Sequence, residues 1–168
     1  MFQLSTLLPI ISKKKIRKAE EIIVTGATTS VVGNSPYKDM LLREGLNEDD
    51  KVEVAQSAER CGEEYCTGLF VILNEGSSSL PQFALIDNVL VVNKPSEPSK
   101  LLLIVLRCQN KGLCPRYNAF SISNDFNAAP ELVNVEHLKN FRAIAPWNPV
   151  CSANSDSLYL YPRTTVNV

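Results

Sequence analysis

After about Thr67 the apolar residues of this chain gather into strand-length runs. Leu69 to Leu73 is uniformly apolar and stops at Asn74-Glu75-Gly76-Ser77-Ser78-Ser79, whose residue types end strands and make turns. Phe83 to Ile86 and Val89 to Val92 flank Asp87-Asn88, which reads as a tight turn or as a bulge in one long strand. The two prolines of Lys94 to Ser99 cannot serve a hydrogen-bonded ladder, so that stretch is a predicted loop. Leu101 to Leu106 is apolar at consecutive positions, as a strand covered on both faces must be, and is the predicted central strand.

Further on, Arg116 to Ser123 alternates, with Tyr117 and Ser121 on one face and Phe120 and Ile122 on the other, the pattern of a half-buried strand. Its exposed edge could accept a partner strand. Asn134 to Phe141 suggests a turn or two of helix, and Pro146 to Pro149 breaks the chain. Leu158 to Tyr161 followed by Thr164 to Val166 predicts a last strand pair or a strand bent at Pro162. Short strands roughly a dozen residues apart, with little helix between them, predict a mainly β fold. The expected architecture is a small antiparallel barrel or sandwich with one or two short helices and a disordered N-terminal tail.

Three segments follow from this reading: a disordered basic tail over 1–34, a short helix and acidic linker over 35–66, and the antiparallel β domain over 67–168. Thr, Ser and Gly dominate the end of the tail and offer little apolar surface to offset chain ordering. Ser35 to Gly45 carries helix start and stop signals: a capping Ser35, Pro36 suited to the first turn, and Gly45 to close the end. Asp49 to Ala55 fits a capped helix or a strand equally well. Ser35-Pro36 also has the form of a proline-directed phosphorylation site, although a Ser-Pro pair that simply starts a helix is the preferred reading.

Charge separates the two ends of the chain. Lys13, Lys14, Lys15, Arg17 and Lys18 hold five of the 17 basic residues, leaving 12 against 18 acidic ones elsewhere. The folded part is therefore acidic, and nucleic acid could be met only through the tail, by weak, salt-sensitive contact with phosphate. The same cluster has the form of a nuclear-import signal. The apolar opening residues precede the cations instead of following them, the reverse of a secretory signal, and no apolar run reaches the ~20 residues of a membrane span. An intracellular protein, entering the nucleus if the cluster is read by a carrier, with no membrane partner, is the expectation.

Cys61, Cys66, Cys108 and Cys114 could supply four thiolates to a structural zinc ion. Their intervals of four and five intervening residues are wider than usual, and thiols without a metal are the preferred reading. Cys151 makes the count odd, which suits free thiols better than a disulfide framework. His137 is the only histidine, so a Cys/His enzyme would have to run through it. No glycine-rich phosphate loop, zinc-protease helix or serine elbow is present. No catalytic residue and no cofactor is expected.

Two stretches resemble known families. Val24 to Leu42, with the basic run just upstream and Ser35-Pro36-Tyr37-Lys38-Asp39-Met40-Leu41 inside it, resembles the tail segments of insect pogo-type transposase-derived proteins. Gly68 to Val168 resembles a β-rich segment of animal proteins associated with mobile elements, through Leu80 to Ile86, Tyr117 to Phe120 and Leu158 to Val166. The resemblance implies no reaction and carries no catalytic residue. It implies an accessory or fragment product that does not cut DNA. The leading expectation is thus a non-enzymatic module that binds a protein partner. The alternatives are a nucleic-acid-associated accessory factor using the basic tail and a small Cys/His enzyme.

Overall fold

The computed structural model describes residues 21–73, 80–95, 97–138, 140–148 and 157–161. Strands β1 (Ile23–Thr25) and β2 (Thr28–Val31) run alongside β4 (Ser57–Arg60) and β3 (Lys51–Ala55) as one antiparallel ribbon. Thr25 pairs with Ser57 and Thr28 with Val54, so the register passes unbroken through a bend at Gly26 and Gln56. Gly26 takes a φ of +63°, and a Cβ there would lie 2.6 Å from the Gln56 side chain, so glycine fits the bend where a larger residue would have to displace Gln56. The bend carries the ribbon from one sheet into another, the way strands turn the corners of packed sheets.

Between β2 and β3 the chain makes a 3₁₀ turn over Val32–Asn34 and the helix α1 (Lys38–Arg43). Ser35 is buried, and its Oγ accepts the Tyr37 N–H at 3.2 Å, ahead of the helix. The expected stop is present: Gly45, at φ +84°, donates to the Leu42 carbonyl and Leu46 donates to the Leu41 carbonyl. That is a Schellman closure, and its hydrophobic contact is Leu41 with Leu46, both buried.

β5 (Glu63–Cys66) forms a hairpin with β4 across Cys61 and Gly62, whose φ values of 54° and 80° fit a type I′ turn. β6 (Phe70–Leu73), β7 (Gln82–Val92) and β8 (Lys100–Arg107) follow, then β9 (Asn110–Cys114), β10 (Ala119–Ser123), β11 (Glu131–Asn134), β12 (Asn140–Ile144) and β13 (Ser157–Leu160). The central sheet runs β11-β8-β7-β3-β2, with β6 beside the first half of β7 and β12 beyond β6. Sheets β1-β4-β5 and β9-β10-β13 pack on it. All named pairings are antiparallel, and among the described residues the sheets do not close into a barrel, so the sandwich alternative holds.

β8 is the predicted central strand, with Leu101 to Val105 buried between β7 and β11. Leu101, Leu103 and Val105 face a core shared with Tyr65 and Ala58 of the β1-β4-β5 sheet. Leu102 and Ile104 face the opposite way, under α1 with Val32, Leu41 and Leu46. The same opposite face, further along β7, meets Phe70, Ile72, Ile122 and Leu160 under the β9-β10-β13 sheet. Full burial of each such side chain contributes roughly 1.5–3 kcal/mol, so both covers of the central sheet are integral to it.

The structure corrects several expectations upstream of Thr67. Residues 21–34 form β1, β2 and the 3₁₀ turn instead of a disordered tail, and 51–66 form three strands instead of a linker. β2 and β3 pair within the same sheet as β7, so the β structure begins well before Thr67. The region expected as an exposed edge, Tyr117 to Ser123, contains β10, which has β9 on one side and β13 on the other. The predicted helical turn after Asn134 is a single 3₁₀ turn, Val135–His137, whose Glu136 N–H is held by the Asn134 side chain at 3.0 Å. Tail residues 1–20, the loop 74–79 and the expected strand at Thr164 to Val166 lie outside the described residues. No helix among those described is long and apolar enough to cross a membrane.

Candidate functional site

The basic cluster Lys13, Lys14, Lys15, Arg17 and Lys18 and the fifth cysteine, Cys151, lie outside the described residues. The other four cysteines are dispersed over different elements. Cys61 is exposed in the hairpin turn, Cys66 ends β5 opposite Ser57, Cys108 is buried where the chain leaves the central sheet, and Cys114 ends β9. Among the described residues no three His, Cys, Asp or Glu side chains gather where they could hold a metal ion. The glycines between the cysteines have other duties: Gly62 completes the type I′ turn, and Gly112, at φ +103°, sits beside the register shift of β9 and β10.

His137 is exposed at the end of its 3₁₀ turn. Its neighbour Glu136 is engaged by Arg60 at 2.5 Å, and that hydrogen bond holds the carboxyl below the usual carboxylate range. Burial pushes the thiols of Cys66 and Cys108 upward, away from the thiolate that a nucleophile requires. A small cavity of about 200 Å³ is lined by Arg60, Cys61, Tyr65, Val135, Glu136 and Phe141. The Tyr65 hydroxyl inside this group donates to the Phe141 carbonyl, and burial raises its pKa strongly, so it stays protonated.

A different surface draws side chains together from three segments. In β13, Leu158 and Leu160 turn inward to Phe70 and Ile122, which leaves Tyr159 on the outer face. Trp147 joins β13 as an extra bridge, its N–H bonding the Tyr159 carbonyl at 2.9 Å and its carbonyl accepting from Tyr159 at 3.0 Å. Tyr117, from the turn between β9 and β10, stands edge-on to both Trp147 and Tyr159, with ring centroids 5.1 and 4.9 Å away. Tyr161 lies 5.8 Å from Trp147, and the Arg116 guanidinium rests 5.2 Å over the Tyr117 ring. Trp147 and Tyr161 remain 39% and 42% exposed, a large apolar payload left in contact with water.

Tyr161 also borders a cleft of about 390 Å³ whose walls include Glu63, Glu64, Asn140 and Arg142. The aromatic row and this cleft are thus contiguous. Alternation in the sequence places Tyr117 opposite Phe120 and Ile122, and by the same rule Tyr159 and Tyr161 opposite Leu158 and Leu160. Trp147 carries no such signal, because it stands between two prolines, Pro146 and Pro149, and reaches the row only through its bridge to Tyr159. Comparison of the chain with protein-family models, curated proteins and solved structures finds no match in any of the three.

Proposed function

We propose that this chain is a non-enzymatic protein-interaction module whose contact face is the row Tyr117, Trp147, Tyr159 and Tyr161. The observation that carries the reading is the exposure of Trp147 and Tyr161 on the outside of a sheet whose inner face is already filled. Rigid aromatic side chains with an arginine beside them are the residue types enriched at the energetic centres of protein interfaces. Stacking of nucleobases asks for open ring faces, whereas here neighbouring rings meet at 59–78° and cover one another's faces with their edges. A nucleic-acid role would therefore fall to the basic tail. An origin in a mobile element rests on the sequence resemblance alone and would suit an accessory binding product.

The test is a quantitative comparison of proteins co-purifying with the wild-type chain and with a Tyr161→Ser, Trp147→Ser double variant that unfolds at the same temperature. A set of partners lost from the variant is the expected result. An identical set retained by both chains would remove this face from the reading.

A further inference from the structure

We infer that the partner seated on this face is an extended, proline-containing segment that carries a cationic side chain beside its prolines. The inference rests on the reading of the aromatic row as an interaction surface and names what that surface takes. Rings set at 59–78° to one another form notches and ridges instead of a flat platform. A polyproline II ligand presents pyrrolidine rings to such notches, and its ordering cost is low because the conformation is already populated when free. The Tyr117 and Tyr161 rings lie 5.1 and 5.8 Å from Trp147, which stands between them as the centre of the contact.

Charge selects what flanks the prolines. At the Tyr161 end the row opens into the cleft bounded by Glu63 and Glu64. One Glu63 oxygen accepts the Ala143 N–H, whereas Glu64 is exposed on the wall of the cleft, where its carboxylate faces an arriving cation. Arg142 on another wall of the cleft confines the favourable position to the Glu64 side.

Trp147 is the sole tryptophan, so its emission reports on this site without labelling. The full chain is titrated with a synthetic peptide holding two Pro-x-x-Pro turns followed by two arginines, and with its counterpart in which every proline is alanine. The proline peptide is expected to shift Trp147 emission saturably and to bind more weakly as salt is raised. Glu64→Lys, at an exposed position that should not disturb folding, is expected to weaken binding about tenfold, and Tyr161→Ala about thirtyfold. Equal binding of the alanine peptide would overturn the polyproline inference while leaving the interaction face standing. No response to the proline peptide at millimolar concentration would overturn it too. A response instead to a single-stranded oligonucleotide or an oligosaccharide would overturn both the inference and the protein-interaction reading.

Discussion

The Ala143 amide donates to the Glu63 carboxylate at 2.9 Å, joining the irregular edge strand β12 to the side chains of β5. Among the described residues β12 pairs with β6 alone, and between Asn140↔Ile72 and Ile144↔Phe70 it carries residues that have no counterpart. Backbone groups shed by that bulge are taken up by side chains: Ala143 by Glu63, the Phe141 carbonyl by the Tyr65 hydroxyl, and the Arg142 N–H by Asn140 Oδ1. An edge with its polar groups occupied is a poor template for a stray strand. Tyr65→Phe keeps the buried ring and removes the donor, so it should lower stability by about 1–2 kcal/mol in urea unfolding, with an unchanged slope. An unaltered midpoint would mean that water serves the Phe141 carbonyl equally well.

β7 absorbs one extra residue without exchanging its faces. Ala84 and Ile86 face the same core as Val89 and Val91, because the register with β8 shifts between Ile86 and Asn88. Deleting Asp87 and Asn88 together would make Ile86 and Val89 neighbours, send Val89 and Val91 under α1 and turn Leu90 and Val92 toward Tyr65, exchanging every side chain beyond the cut. It would also remove Asn88, whose amide donates to the Tyr37 hydroxyl at 2.6 Å and ties the bulge to the helical cover. The double deletion is expected to cost about 3 kcal/mol or more, through overpacking on one face and voids on the other. Asp87→Ala, which keeps the bulge, should cost about 1 kcal/mol or less. Equal thermal midpoints for the two variants would contradict this account.

The legible parts of the fold were those whose burial is local. Leu101 to Leu106 announced a strand covered on both sides, Asp87-Asn88 marked the bulge, and Gly45 marked the helix end. β1 and β2 were not assigned because their stability comes from pairing over a distance, and β3 fitted a helix equally well. Thr28 to Val31 has two exposed and two half-buried residues and almost no apolar signal, yet its Thr and Val side chains suit a pleated surface once β3 lies alongside. The candidate site divides the same way. Tyr117, Tyr159 and Tyr161 could be assigned outward by alternation, whereas Trp147 reaches them only through tertiary pairing with Tyr159.

Gly45 gives a clean measure of the helix stop. Nothing lies within 4 Å of where its Cβ would be, so a side chain there meets no steric neighbour and only the φ of +84° resists it. Gly45→Ala should therefore cost about 1–2 kcal/mol, the usual penalty for the left-handed region. Gly45→Asn should cost less, since asparagine tolerates that region better. Equal loss for Ala and Asn, read from urea midpoints, would point to a packing cause that the open space around Gly45 does not provide.

Alkaline pH should act on the corner at Cys108. Its N–H donates to the Phe83 carbonyl at 3.0 Å, its thiol to the Leu106 carbonyl at 3.4 Å, and the residue is 7% exposed. Burial pushes this thiol from 9.0 up to about 11. Below pH 9.0 both folded and unfolded chains hold the proton, and Cys108 adds no pH dependence. As pH rises from there the unfolded chain releases the proton first, so it binds fewer protons than the folded one and stability falls until the folded thiol ionises too. A displacement of this size corresponds to a loss on the order of 2 kcal/mol by the end of the range. Cys66 and Tyr65, both raised by burial, tilt stability the same way, Tyr65 from about pH 10 upward. Urea midpoints followed from pH 7 to about 10.5 should decline for the wild type and decline less steeply for Cys108→Ala, whose remaining slope belongs to Cys66 and Tyr65. Parallel profiles for the two proteins would show that Cys108 ionises no later in the folded chain than in the unfolded one.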